Sequence, residues 1–211
     1  AYECTPTSKS IPEIDRKDIE MSKWTQEAME KRLVRYADLK GLRNAFIDAR
    51  TPGSDQKENF TIIGPGVSEN PAQVVHIPEA HGFNVGAARQ PFGCTNSQHS
   101  HLTAETFLVH TGKWRFVFGA NKDEGYLDVE PGDVATVPTH MFRGFEKRDE
   151  GTGFLYVVLG HDDPGKVVWA PSVFKMAEHY GLKLLKGGKL IERKADLRSN
   201  SNKITPGTII K

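Results

Sequence analysis

The stretch from Gly93 to Gly112 constrains this chain more than any other. It reads Gly93, five residues, His99-Ser100-His101, three residues, Glu105, six residues, Gly112. Side chains alternate along an extended strand, so His99 and His101 share a face. Glu105 follows four residues later and can complete three corners of a metal site. Imidazole and carboxylate donors suit Fe, Mn, Ni, Cu or Zn without a thiolate. A His-x-His pair alone is more often an exposed strand; the placed glutamate and the flanking glycines favour the metal reading.

A second segment supplies a further donor. Pro131-Gly132-Asp133 is a turn signal, since Gly accepts positive φ and Pro pre-sets the preceding angle. A short apolar strand over 134–137 follows, then Pro138-Thr139-His140. A lone His after a strand is usually a surface residue. In register behind the first segment, His140 becomes the fourth ligand.

The two segments resemble the two motifs of the cupin superfamily. The first matches at Gly93, His99, His101, Glu105 and Gly112, and the second at Gly125, Pro131, Gly132, Pro138 and His140. The family has Asn four residues after the second-motif histidine, where this chain has Gly144. That Asn is not a ligand in the family, so the departure touches the pocket rim and not the donor set. The resemblance implies an all-β, double-stranded β-helix (jelly-roll) barrel over residues 59–170. A short strand series agrees with it: 60–63, 73–77, 83–88, 99–103, 105–110, 113–118, 125–129, 134–137, 142–147 and 154–159. Trp114, Phe116 and Phe118 share one face and are expected in the core.

The flanks differ in character. Residues 1–58 form an arm and a helix, with Thr25 as cap, Glu27 and Glu30 early, and Ala28, Leu33, Tyr36, Ala37 and Leu39 on an apolar side; the helix is expected over 24–42. Residues 171–211 hold a helix over 172–180 stopped by Gly181, a hairpin turning at Gly187-Gly188, and a polar tail. Such a tail joins the two barrels of some cupins. A homodimer and a second barrel in the same chain both stay open.

Charge and cysteine usage exclude several classes. Twenty-eight basic residues stand against twenty-seven acidic ones in 211, which argues against a dedicated nucleic-acid or membrane-surface binder. No apolar run approaches the roughly twenty residues needed to cross a bilayer. Cys4 and Cys94 are too few for a disulfide framework, so a cytoplasmic setting is expected. Secretion is the alternative, with Asn59-Phe60-Thr61 as a weak glycosylation signal.

Four ligands leave two positions of an octahedral metal open, which suits a chelating substrate or substrate beside O₂. Within four-ligand cupins the resemblance implies quercetinase-like and other dioxygenases, oxalate-degrading enzymes, isomerases, lyases, and sugar-binding or storage relatives. The first expectation is an oxidoreductase: an Fe(II) dioxygenase cleaving a small aromatic or enolic substrate, with Mn, Ni, Zn or Cu as other possible metals. The alternatives are an O₂-independent metal-dependent lyase or isomerase, and a non-catalytic ligand-binding or storage cupin. Glu105 is either a permanent ligand or a base. Arg143 either holds an anionic substrate or pairs at the surface with Glu146 or Asp149. Gln98 is expected as a surface amide, Arg115 in solvent, and His110 at the rim.

Overall fold

The computed structural model describes residues 24–185 and 190–192. The chain divides into two compact units, Ala1–Leu33 and Val34–Lys211. Within the first, α1 (Gln26–Glu30) is capped by Thr25, whose hydroxyl accepts from the Ala28 amide at 3.1 Å. The helix predicted over 24–42 is not formed. Arg35 is extended, and Tyr36–Asp38 make a single 3-10 turn. The physical reason is tertiary. Val34 and Leu39 pack against the cluster of Phe60, Ile62, Ala87 and Phe154. Leu42 and Asn59 exchange backbone hydrogen bonds at 2.9 and 3.0 Å. A short helix is marginal in water, so these contacts decide the local structure.

The second unit is mostly β. Its strands are β1 (Glu58–Ile63), β2 (Val75–Ile77), β3 (Phe83–Pro91), β4 (Thr95–Ser100), β5 (Glu105–Thr111), β6 (Trp114–Phe118) and β7 (Gly125–Val129). They continue with β8 (Val134–Val137), β9 (Arg143–Lys147), β10 (Thr152–Gly160) and β11 (Val168–Trp169). A six-stranded sheet runs β2-β1-β3-β10-β5-β8, and a five-stranded sheet runs β11-β4-β9-β6-β7. The order jumps between distant strands, as a jelly roll requires. After β11, α2 (Pro171–His179) starts with Pro at its first turn and ends before Gly181 at φ 75°. β12 (Leu182–Leu184) pairs antiparallel with β13 (Leu190–Glu192), and the turn between them lies outside the described residues. No described helix is long and apolar enough to cross a membrane.

Ring packing fills the space between the sheets. Trp114 and Phe116 are buried with Phe107, Val109, Phe145 and Leu155, and Phe118 packs against this cluster, as the alternation on β6 predicted. Phe107 and Phe116 have ring centroids 4.7 Å apart. A second cluster joins Ala45, Phe46 and Ile47 to Trp169, Ala170, Val173 and Ala177. It fastens α2 and β11 to the segment before β1, and so builds one wall of the site.

Gly144 has a clear steric cause. A Cβ there would stand 2.0 Å from Gln98 Oε1 and 2.6 Å from the Asn96 carbonyl oxygen. Gln98 points away from His99 as alternation requires, yet it is buried and not a surface amide. Its Nε2 donates to the carbonyls of Val117 (3.0 Å) and Gly119 (2.6 Å). Those carbonyls lie at the end of β6 and in the turn after it, where the Gly119 carbonyl also accepts from the Lys122 amide at 3.1 Å.

Candidate metal centre

Three of the four expected ligands converge. His99 lies in β4, His101 one residue beyond its end, and Glu105 opens β5. All three are buried, and their donor atoms lie within 4.8 Å of one another. The two imidazole centroids are 5.2 Å apart with planes at 82°, so the rings converge on one point without stacking. β4 ends at Ser100, short of the predicted 103, because the chain turns at Leu102 and Thr103 to start β5. That turn brings Glu105 back beside His101.

Protonation favours metal binding. Burial, then the Arg143 guanidinium, pushes the His101 imidazole down to about 3. Burial, then Arg143 and His101, holds His99 well below its ordinary value. Both rings are therefore neutral near pH 7 and present lone pairs. Burial raises the Glu105 carboxyl, and Arg143 opposes that rise.

The fourth expected ligand, His140, does not join the group. It is exposed and sits at φ 66° in the turn between β8 and β9. Its backbone N–H donates to the His101 carbonyl at 2.9 Å. The turn thus uses His140 through its backbone, and the left-handed conformation aims the side chain outward. The residue that β9 delivers instead is Arg143, whose Cα is paired with His99.

Arg143 is neither on the surface nor paired with Glu146 or Asp149. Those carboxylates bind Arg148 (2.8 Å) and Lys147 (2.5 Å). Arg143 is 1% exposed. Its Nη2 donates to Glu105 Oε2, and its Nη1 donates to the carbonyls of His99 (3.0 Å) and Met141 (3.4 Å). Arg115 meets its expectation, clasping Asp128 with two bonds of 2.6 and 2.7 Å on an exposed face. His110 is exposed one residue before the end of β5; its ring packs 5.4 Å from Tyr36 and 5.7 Å from Tyr156.

The residues fit a divalent transition metal. His101 Nε2 stands 3.7 Å from Glu105 Oε1, too far for a hydrogen bond. His101 Nδ1 is buried with no partner. A buried imidazole with unmet nitrogens is costly, and a cation shared with Glu105 would satisfy Nε2. Two imidazoles and one carboxylate also form the donor set of facial metal sites. The adjoining cavity has a volume of about 60 Å³. Phe107, Phe145, Leu155, Val157 and Trp169 wall it, and His99, His101 and Glu105 provide its polar corner.

No protein-family model matches the chain. A germin-like protein (subfamily 1 member 4) of Arabidopsis thaliana is 28% identical over 121 residues, 54% of this chain. The match spans about half the length of that relative, 54%. Among solved structures, a DMSP lyase from Ruegeria pomeroyi is 15% identical with a TM-score of 0.46, covering 63% of this chain and 61% of its own. An oxalate oxidase structure is 18% identical with a TM-score of 0.38, covering 43% and 47%. An RmlC-like cupin from Shewanella frigidimarina is 12% identical with a TM-score of 0.43, covering 63% and 90%. Two sheets in jelly-roll order hold the spaced His-His-Glu group between them, an arrangement like that of the cupin barrel whose two motifs the sequence resembles.

Proposed function

We propose that this chain is a metal-dependent enzyme, and specifically an Fe(II) dioxygenase of a small enolic or aromatic substrate. The observation that supports it best is the convergence of His99, His101 and Glu105 on an apolar cavity. A storage barrel has no need of two neutral imidazoles and a carboxylate held out of water. Bound there, the metal would act as a Lewis acid and pass electrons between an electron-rich substrate and O₂.

The chain's own groups have defined parts. His99, His101 and Glu105 would hold the metal at the polar corner of the cavity. Arg143 occupies Glu105 Oε2 and so leaves Oε1, the oxygen beside His101, as the ligating atom. Should Glu105 serve as base, Oε1 is also the atom that takes the proton. The phenyl and aliphatic walls exclude water, which strengthens every charge interaction inside. At about 60 Å³, the cavity is several times smaller than the roughly 300 Å³ of ordinary ligand pockets. The substrate is therefore a compact molecule and not a fused polycycle.

The test is metal analysis of protein purified without added metal, joined to oxygen uptake with small catechols, enols and β-diketones. About one iron per chain with substrate-dependent uptake supports the dioxygenase. Turnover of the same substrates without oxygen assigns a lyase or isomerase instead. Failure of Fe(II), Mn(II), Co(II) and Zn(II) all to bind removes the metalloenzyme reading altogether.

A further inference from the structure

His99 Nδ1 has two neighbours that make opposite demands. The Ser97 carbonyl oxygen lies 2.8 Å away and can only accept. The Asn96 amide nitrogen lies 3.2 Å away and can only donate. One ring nitrogen carries either a proton or a lone pair, so it satisfies one neighbour and not the other.

The Asn96 amide cannot escape by turning over. Lys57 Nζ is 2.5 Å from Asn96 Oδ1 and 2.5 Å from Asp48 Oδ2. A flipped amide would present its NH₂ to an ammonium. Lys57 and Asp48 are fully buried, and the Lys57 ammonium lies 5.7 Å from the Phe46 ring centroid and 5.9 Å from that of Trp169. The opposing neighbour is fixed by the same pair, because Asp48 Oδ2 accepts from the Ser97 amide at 2.9 Å. One buried ion pair thus holds both competitors for the ring.

We propose that Asn96, anchored by Lys57, is a positioning residue that sets the tautomer of His99 and thereby the metal affinity of the site. This rests on the metal-site reading above. The Ser97 bond favours the proton on Nδ1 and leaves Nε2 with its lone pair for the metal. The Asn96 amide favours the reverse, with the proton on Nε2, where no metal can bind. The shorter Ser97 contact gives the competent tautomer the majority, and Asn96 holds it below saturation. Outer groups of this kind shift metal affinity by about 10- to 100-fold.

Two substitutions separate tautomer from charge. Asn96→Asp replaces the donor with an acceptor that Lys57 still anchors. Asn96→Leu removes the donor and adds no charge. The readouts are the ¹⁵N shifts of the His99 ring in metal-free protein and the Co(II) dissociation constant by calorimetry. In the wild type the two ring nitrogens are expected at averaged shifts. Asn96→Asp moves them to the pure Nδ1–H pattern and tightens Co(II) about 10-fold; Asn96→Leu moves both in the same direction, with Co(II) about 3-fold tighter. Ring shifts unchanged in both variants overturn the proposal, as does a shifted tautomer with unaltered Co(II) affinity. If the tautomer shifts and no protein binds Co(II), Asn96 keeps its hold on the ring and the metal-site reading fails.

Discussion

Strand β9 carries two buried cations with different surroundings. Arg143 opens the strand and Lys147 ends it, on the same face with Phe145 between them. Lys147 is paired: its Nζ donates to the Asp149 carbonyl at 2.7 Å and to Asp149 Oδ1 at 2.5 Å. Its stem lies so close to Gly112 and Gly153 that a Cβ at either would come within 2.3 and 2.5 Å of Lys147 Cε. Arg143 faces Glu105 and two imidazoles, and its Nε has no partner. One end of the strand is a closed piece of construction; the other keeps unmet polar atoms where a metal and a substrate would bind. The motif glycine Gly112 belongs to the first end and the motif histidines to the second, so a single sequence motif serves both.

The sharpest challenge to this contrast comes from the structural end. Gly112→Ala forces Ala to φ 80° and onto Lys147, and should cost about 4 kcal/mol in denaturant unfolding. Co(II) affinity of the folded protein should not change. Arg143→Met comes next. Without metal it leaves Glu105 buried and unpaired, which should cost about 3 kcal/mol. Added Co(II) should raise the melting temperature of this variant more than that of the wild type, and an equal rise would mean that Glu105 does not bind the metal. His101→Ala should weaken Co(II) by about 100-fold, equivalent to about 2.7 kcal/mol, and leave circular dichroism unchanged. His140→Gly should stabilise by about 1 kcal/mol, since it relieves a left-handed non-glycine residue, with Co(II) binding kept. Loss of Co(II) there would show that the turn closes to bring His140 inward, and would end the comparison as drawn.

The smallest effect is a pH effect. Asp149 titrates below its ordinary 3.8, held there by the Lys147 ammonium first and the Lys113 amide second. A carboxyl lowered on folding adds stability that is complete above the unfolded value. That stability is lost as pH falls through the folded value. Lys147→Met should therefore flatten the loss of stability below about pH 4, measured by urea unfolding across pH 2–5. A slope equal to that of the wild type would mean the pair carries no folding linkage.

Short-range spacing made the candidate His-His-Glu group readable. His99, His101 and Glu105 meet because alternation and one turn bring them together, and both are local rules. Arg143 stands out in the sequence, yet its partner Glu105 lies 38 residues away, and surface carboxylates are nearer. Lys57 and Asn96, 39 residues apart, gave no local signal, since a buried lysine reads like any other lysine. Alternation gives the direction of Gln98 correctly and misses its burial, because the carbonyls that hold it belong to β6 and the turn after it. The helix over 24–42 failed for a related reason: Val34 and Leu39 pack on the Phe60 cluster and not along a helical stripe. His140 misled because the turn needs its backbone and not its ring.

Gly144 has a consequence for descent. A side chain there collides first with Gln98 and then with the Asn96 carbonyl, inside the register shift of β4 between Asn96 and His99. Asn placed at 144 alone would therefore displace Gln98 and Asn96. Positions 96, 98 and 144 should change together among relatives, as one inherited unit. A relative that keeps Gln at the position of Gln98 should keep Gly at that of Gly144, and the pair can serve as a lineage mark when such chains are sorted.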